Sequence, residues 1–411
     1  MAVGKLNFPD MPSIDGIRLS TASAGIKSAN KLDLVLIELT EQARITGVFT
    51  QNDFCAAPVI LCRRHLSFDP GTETQSGCRY LIINSGNANA CTGERGIADA
   101  LTVCQSIADQ AGLRIQQILP FSTGVIGEYL PVEKITARIP ALFDGLSADN
   151  WLSAARGIMT TDTLPKGASC SFAYRGENVV VNGIAKGAGM IKPNMATMLA
   201  FIATNATISQ ELLEQLSNTA VEQSFNRITV DGDTSTNDSC ILMTTGTSTA
   251  IKDKADPRYS SLQDAVIQVY RQLAQAIVRD AEGATKFVTI EVTEGHSTEE
   301  CLQIAYAIAH SPLVKTAFYA SDPNWGRIVA AIGNAKIDNL DIINVRLFLD
   351  DVLIIENGSR AKHYREEDGK KVMNKDEFRL TVHLGRGSAR EQIWTSDLSH
   401  DYVTINAEYR T

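Results

Sequence analysis

The segment richest in potential chemistry is Lys186 to Phe201, KGAGMIKPNMATMLAF. Lys186, Gly187 and Gly189 lead to Pro193, and Asn194-Met195-Ala196-Thr197 then runs directly into an apolar stretch. Residues without a Cβ let the backbone take angles closed to others and admit a close ligand or strand, and Pro193 confines Lys192 to extended conformations. A threonine after a small residue, at the mouth of a buried segment, has two readings. In one, Thr197 opens a core strand and its hydroxyl satisfies a neighbouring carbonyl. In the other, the hydroxyl attacks the Ala196 carbonyl in an N→O acyl shift, water opens the ester, and Thr197 becomes an amino terminus. An α-amine titrates at roughly 7.7–8.0, so near neutrality it can act as the base for its own hydroxyl. Residue types alone leave both readings open.

Other chemical signatures fail on inspection. Asp231 begins DGDTSTND, which superficially matches a calcium loop, but Thr236 occupies the glycine position and Leu242 the bidentate-glutamate position. A turn rich in side-chain caps is expected there. Gly187-x-Gly189 meets Lys192 where a third glycine belongs, and no GxxxxGK[ST] occurs. The six histidines form no HExxH pair, and His400 is expected at the surface or behind a site. Asn324-Trp325-Gly326-Arg327 reads as a packed turn.

The elements that must position these residues are short strands with intervening helices. Leu32–Leu39, Tyr80–Ile83 (before NSGNAN) and Asn178–Val181 (before NGIAKGAG) read as strands ended by small polar turns. Apolar residues at helical spacing predict helices over Ile97–Ala111, Ser209–Phe225 and Leu262–Ala281, the last with Gly283 at its C-cap. Later, Lys286–Val292 reads as a strand and Cys301–His310 as a helix. VRLFL, VLII and FRLTVHLG then follow as strands, with ENGS as a hairpin signal. Without a strict βαβ rhythm, this mixture points to α+β layering. A change of texture near residue 285 separates residues 1–285, a larger catalytic part, from a smaller, strand-rich 286–411.

With 411 residues, the chain exceeds the usual ~100–200 residues of one domain. It is 44% hydrophobic and 21% charged, with a net charge of −9, which is globular and acidic. Such a surface repels phosphate backbones and anionic lipid, so nucleic acid and membranes are poor partners and small molecules are favoured. The eight cysteines are scattered without CxxC pairs, the pattern of buried cytoplasmic thiols. Pro9, Asp10 and Pro12 interrupt the apolar run a signal peptide needs, and no stretch approaches the ~20 apolar residues of a membrane span.

KGAGMIKPNMATMLAF resembles the self-processing segment of the ornithine acetyltransferase (glutamate N-acetyltransferase) family almost position for position. The resemblance recurs in GVFTQN at Gly47, NSGNANACTGERG at Asn84, STGVIGEYLP at Ser122 and MTTDTLPK at Met159. It continues through SFNRITVDGDTSTNDS at Ser224, DAEGATK at Asp280, SDPNWGRIVAAIG at Ser321 and WTSDLSHDYVTINAEYRT at Trp394. Departures are small: Asn205 and Glu408 stand where the family more commonly has Asp.

The resemblance implies an αββα-type sandwich, as in self-processing aminopeptidases, with a smaller α+β C-terminal domain whose end returns to the active site. It implies cleavage into chains 1–196 and 197–411, with Thr197 as nucleophile and Thr123 and Gly124 as the oxyanion hole. Thr160, Lys186, Thr197, Glu282, Asn406 and Thr411 match substrate-binding positions, and Lys186 and Glu282 offer the opposite charges an amino acid requires. The implied reaction moves acetyl from N2-acetyl-L-ornithine to L-glutamate, in the cytoplasm, by a heterotetramer of two α and two β chains. No metal or organic cofactor is implied, and acetyl-CoA stands open as a second donor. Two other readings are a related amino-terminal-nucleophile aminopeptidase, which would release its product to water, and an amino-acid sensor without turnover.

Overall fold

The structure, a computed structural model, describes residues 2–29, 31–67, 77–174, 176–192 and 198–408. The chain forms two compact units, a larger one of Asn7–Asn226 with Asp233–Ile277 and a smaller one of Met1–Leu6, Arg227–Gly232 and Val278–Thr411.

In the larger unit, four strands form one sheet in the order β1 (Ile17–Ala22), β2 (Leu34–Leu39), β4 (Tyr80–Asn87), β5 (Ile118–Val125). A second sheet runs β3 (Arg44–Phe49), β10 (Ser239–Thr244), β8 (Leu199–Thr204), β7 (Glu177–Lys186), β6 (Lys166–Tyr174). Because side chains alternate along a strand, Leu81, Ile83, Leu119 and Phe121 of the first sheet share one core with Ile184, Leu199, Phe201 and Ile241 of the second. Phe121 and Phe201 meet edge to face across the gap, with ring centroids 5.0 Å apart, each burial contributing about 1.5–3 kcal/mol. The alternate set on the first sheet, Leu34, Leu36, Tyr80, Ile82 and Ile118, packs against Val103, Cys104 and Ile107 of helix Gly93–Ala111. Outside the second sheet, a Cβ at Gly183 would come within 2.9 Å of Val269 and Leu273, so the helix Pro257–Arg279 lies close over β7. Helix, sheet, sheet and helix are stacked in that order, the expected αββα sandwich.

The smaller unit carries a seven-stranded sheet in the order β14 (Ser359–Arg360), β13 (Val352–Glu356), β12 (Arg346–Leu349), β15 (Glu377–His383), β11 (Phe287–Gly295), β16 (Ala389–Ser396), β9 (Ile228–Thr229). Val288, Ile290, Leu347 and Leu380 of this sheet pack with Ile304, Ile308 and Ile328 of helices Thr298–Ala309 and Trp325–Asn334.

Some elements differ from the sequence reading. Trp325-Gly326-Arg327 begins a helix rather than only a turn, and Arg327 Nη1 donates to the Leu313 carbonyl at 2.8 Å. The long helix ends at Arg279, so Gly283 lies beyond its cap, close against Ser399 and Tyr402. Not every cysteine is buried: Cys91 is exposed, and Cys55 and Cys170 are half-buried. Among the described residues, no helix is long and apolar enough to cross a membrane.

Candidate active site

In the larger unit, the parallel pairing of β4 with β5 sets Ser85 opposite Thr123 and Gly86 opposite Gly124. At Gly124, φ is +138°, and a Cβ there would fall 2.2 Å from the Gly86 carbonyl carbon and 2.5 Å from the Asn87 nitrogen. Only glycine fits this approach. Polar side chains hold the strand ends. Ser122 Oγ donates to Asn84 Oδ1 at 2.6 Å, and Asn237 Nδ2 donates to the carbonyls of Ala88 at 2.6 Å and Ser122 at 2.9 Å. Asn84, Asn87, Ser122, Thr123 and Asn237 are all buried, so each needs a partner within the protein.

Thr123 shares a strand face with Phe121, and Lys186 shares one with Ile184, both core residues between the sheets. Accordingly Lys186 Nζ donates to Thr123 Oγ1 at 3.3 Å. Lys186 also pairs in register with Leu199, two residues past Thr197. The Met198 amide donates to Asp238 Oδ1 at 2.9 Å, and its carbonyl accepts from the Ser239 amide at 3.0 Å.

Thr160 is reached through Asp162, whose side chain is fully buried. Asp162 Oδ2 accepts from the Thr160 amide at 3.0 Å; Oδ1 accepts from the Gly187 amide at 2.8 Å and from Lys166 Nζ at 2.6 Å. Burial by itself would raise this carboxyl's pKa, but the ammonium groups of Lys166 and Lys186, with the Gly187 amide, outweigh it and hold the group well below the ordinary carboxylate range. Lys31 Nζ donates to the Thr160 carbonyl at 3.2 Å, and burial lowers its pKa. The ammonium groups of Lys31, Lys166 and Lys186 thus all act on the Asp162 carboxylate, and Lys31 also feels Asp33.

In the smaller unit, Asn406 Nδ2 donates to Glu282 Oε2 at 2.8 Å. Ser399 caps the helix His400–Ala407 that carries Asn406, and its hydroxyl donates to the Gly283 carbonyl at 2.6 Å. Asp397 fixes the adjoining loop by accepting from the Thr285 amide at 2.8 Å, the Thr285 hydroxyl at 2.6 Å and the Lys286 amide at 2.9 Å. His400 is exposed.

Of the residues expected from sequence, Thr123, Gly124, Thr160 and Lys186 lie in the larger unit and Glu282 and Asn406 in the smaller. Ala196, Thr197 and Thr411 lie outside the described residues. Sequence reasoning gave no role to Asp162, Asn237 or Asp238. Asp162 stands inside MTTDTLPK, and the other two lie in the cap-rich turn after Asp231.

The ArgJ family model matches residues 18–411. The chain is 51% identical to the arginine biosynthesis bifunctional protein ArgJ of Pseudomonas syringae pv. tomato and to that of Pseudomonas fluorescens, over 100% of this chain and of each relative. Among solved structures, it is similar to the arginine biosynthesis bifunctional protein of Bacillus halodurans, with 33% identity over 50% of this chain and 96% of that one, at a TM-score of 0.48. It is also similar to the ornithine acetyltransferase of Mycobacterium tuberculosis, complexed with ornithine, with 30% identity over 45% and 93% of the two chains, at a TM-score of 0.37. On the family match and the full-length identity to these relatives, the chain belongs to the ArgJ family.

Proposed function

We propose that this protein is a self-processing acetyltransferase of arginine biosynthesis, which moves acetyl from N2-acetyl-L-ornithine to L-glutamate. The observation that carries this reading is 51% identity spread over the whole length of bifunctional relatives. The buried Lys186–Thr123 bond at the strand ends supports it with geometry suited to acyl transfer.

Thr197, freed by cleavage after Ala196, attacks the acetyl carbonyl, and the resulting tetrahedral oxyanion needs preorganised donors. The Thr123 hydroxyl and the Gly124 amide are those donors. Lys186 fills a lone pair of Thr123 Oγ1, so the hydroxyl proton points elsewhere and is available to an oxyanion. The tetrahedral intermediate collapses, ornithine leaves with its amine protonated, and the acetyl group remains as an ester on Thr197. The glutamate amine then attacks that ester and carries the acetyl away as N-acetylglutamate, restoring the hydroxyl. Covalent catalysis divides one difficult transfer into two easier ones, and the site must keep water from the ester between them.

Thr160, Lys186, Glu282, Asn406 and Thr411 bind substrate in this reading. The Lys186 ammonium suits the substrate carboxylate, and the Glu282 carboxylate suits a cationic group. Acetyl-CoA serves as a second donor to glutamate, in keeping with the word bifunctional in the relatives' names. The two-α, two-β assembly rests on the family resemblance, and the cytoplasmic location on the scattered cysteines and the interrupted N-terminal apolar run.

Ornithine release from N-acetylornithine, followed with and without glutamate, tests the reading. Release that requires glutamate and is matched by N-acetylglutamate supports the transferase. Sustained release without glutamate means that water reaches the acetyl-enzyme, and the hydrolase reading replaces it.

A further inference from the structure

We propose that Asp162 is a positioning residue of the acetyl-transfer site, fastening the Thr160 loop to the end of β7 so that Lys186 is presented to the Thr123 hydroxyl. The inference rests on the acetyltransferase reading and adds a residue that it does not assign.

The case begins with the division of labour between the two carboxylate oxygens. Oδ2 accepts the amide of Thr160, two residues before Asp162 in the chain. Oδ1 accepts the amide of Gly187, 25 residues away and adjacent to Lys186. One rigid, planar group therefore sets the distance between two segments that carry expected substrate contacts. At Gly187, φ is +151°, a conformation open to glycine, and the Asp162 bond holds it there. The backbone thus leaves β7 immediately after Lys186 in a geometry fixed by Asp162.

The charges favour the same role. A buried carboxylate is costly unless paired and hydrogen-bonded. Asp162 is paired with Lys166, itself buried, at 2.6 Å, and the Lys186 ammonium also stabilises its charge. A lone Asp162–Lys166 pair would be a structural ion pair of neutral sum. Lys186 adds a second ammonium beside this pair, and its Nζ donates to Thr123 Oγ1. Without the carboxylate, Lys166 and Lys186 would repel each other in a poorly solvated interior, and the Lys186 ammonium would shift away from Thr123. Misplacement of a reacting or binding group by an ångström costs roughly a hundredfold in rate.

Two variants test the role. Asp162→Asn alone leaves the Lys166 ammonium buried without its partner, a change that can unfold the protein. The double variant Asp162→Asn with Lys166→Met removes both charges of the pair at nearly constant volume. It should melt close to the parent, yet lose roughly ten- to a hundredfold in kcat/KM for N-acetylornithine, most of it in KM. Asp162→Glu, which keeps Lys166 paired but displaces the carboxylate by one methylene, should fold and show a smaller rise in KM. If the folded double variant turns over like the parent, Asp162 serves only to neutralise Lys166 and the proposal is overturned. If the double variant fails to fold, the Asp162→Glu kinetics decide, and parental KM and kcat would overturn it. A parent protein without glutamate-dependent turnover overturns the acetyltransferase reading and this role together, an outcome distinct from an active parent with an equally active variant.

Discussion

Lys186 Nζ and Thr123 Oγ1, 3.3 Å apart and buried, join the two sheets of the sandwich. Lys186 closes β7 of the five-stranded sheet, and Thr123 lies near the end of β5 in the four-stranded one. Apolar side chains fill the rest of the space between these strands, so the polar pair marks where packing gives way to chemistry.

Thr123→Val keeps the shape of the side chain and removes its hydroxyl. Loss of one oxyanion donor costs roughly 10²–10³-fold in kcat. Steady-state ornithine release should show that loss, with the circular dichroism spectrum unchanged. A variant as fast as the parent would remove Thr123 from the reaction.

Gly124→Ala should lower stability as well as rate. Its φ of +138° and the 2.2 Å approach to Gly86 leave no room for a methyl group, and backbone strain alone costs of order 1–3 kcal/mol. Thermal unfolding beside the parent measures this; an unchanged midpoint would mean that the strand ends separate freely.

Thr197→Ala should remain a single full-length chain and be inactive. Denaturing electrophoresis with intact mass reads the first property and the acetyl-transfer assay the second. Two fragments from that variant would place the nucleophile elsewhere.

These sites were unequally legible in the sequence. Helix Gln210–Glu222, capped by Ser209, and the β13–β14 hairpin at ENGS follow local periodicity and turn chemistry, which a sequence displays directly. By contrast, β7 does not stop at Val181 but runs to Lys186, because its backbone pairs with β6 as far as Ala185 and with β8 as far as Lys186, while Asn182 donates to the Pro12 carbonyl at 2.7 Å and Lys186 reaches Thr123. Polar residues read as turn formers when their partners lie 63 to 170 residues away. Asp162 was hidden for the same reason, since its bond to Gly187 exists only in the folded chain. The αββα layering and the site residues came from resemblance to a family, not from periodicity.

Removal of residues 406–411 should leave a folded, self-cleaving protein that has lost most of its transferase activity. Asn406 and Ala407, the first residues removed, are exposed, so the shortened chain should still fold. Glu282 loses its Asn406 partner. Unchanged kinetics would refute a role for this end of the chain.

Lys315 gives a pH dependence of defined sign. It is buried, donating to Thr395 Oγ1 at 3.1 Å and to the Ser396 carbonyl. Burial, opposed by Asp397 and Asp231, pushes its pKa down to about 8. Unfolded, it titrates near 10.4. Between those values the unfolded chain holds the extra proton, so stability rises with pH from about 8 to about 10.4, and the cost of charging is fully present below 8. The difference is on the order of 3 kcal/mol. Denaturant titrations of the parent and Lys315→Met at about pH 7 and about pH 10 should show the parent gaining relative to the variant. Parallel behaviour would mean that Lys315 feels no burial.

The ladder of the five-stranded sheet bears on what happens after self-cleavage. A cut before Thr197 leaves β3, β6 and β7 in one fragment and β8 and β10 in the other, yet β8 pairs with β7 from Val181–Thr204 to Lys186–Leu199, and β10 pairs with β3 along its whole length. The fragments are woven through each other, so the severed peptide bond opens no seam along which they could separate. Dissociation would require unzipping two ladders and exposing the core between the sheets. Cleavage in this fold is therefore a change of covalent connectivity within a persistent body. Once denatured, the mature protein would have to reassemble by a bimolecular encounter, while its precursor folds as a single chain.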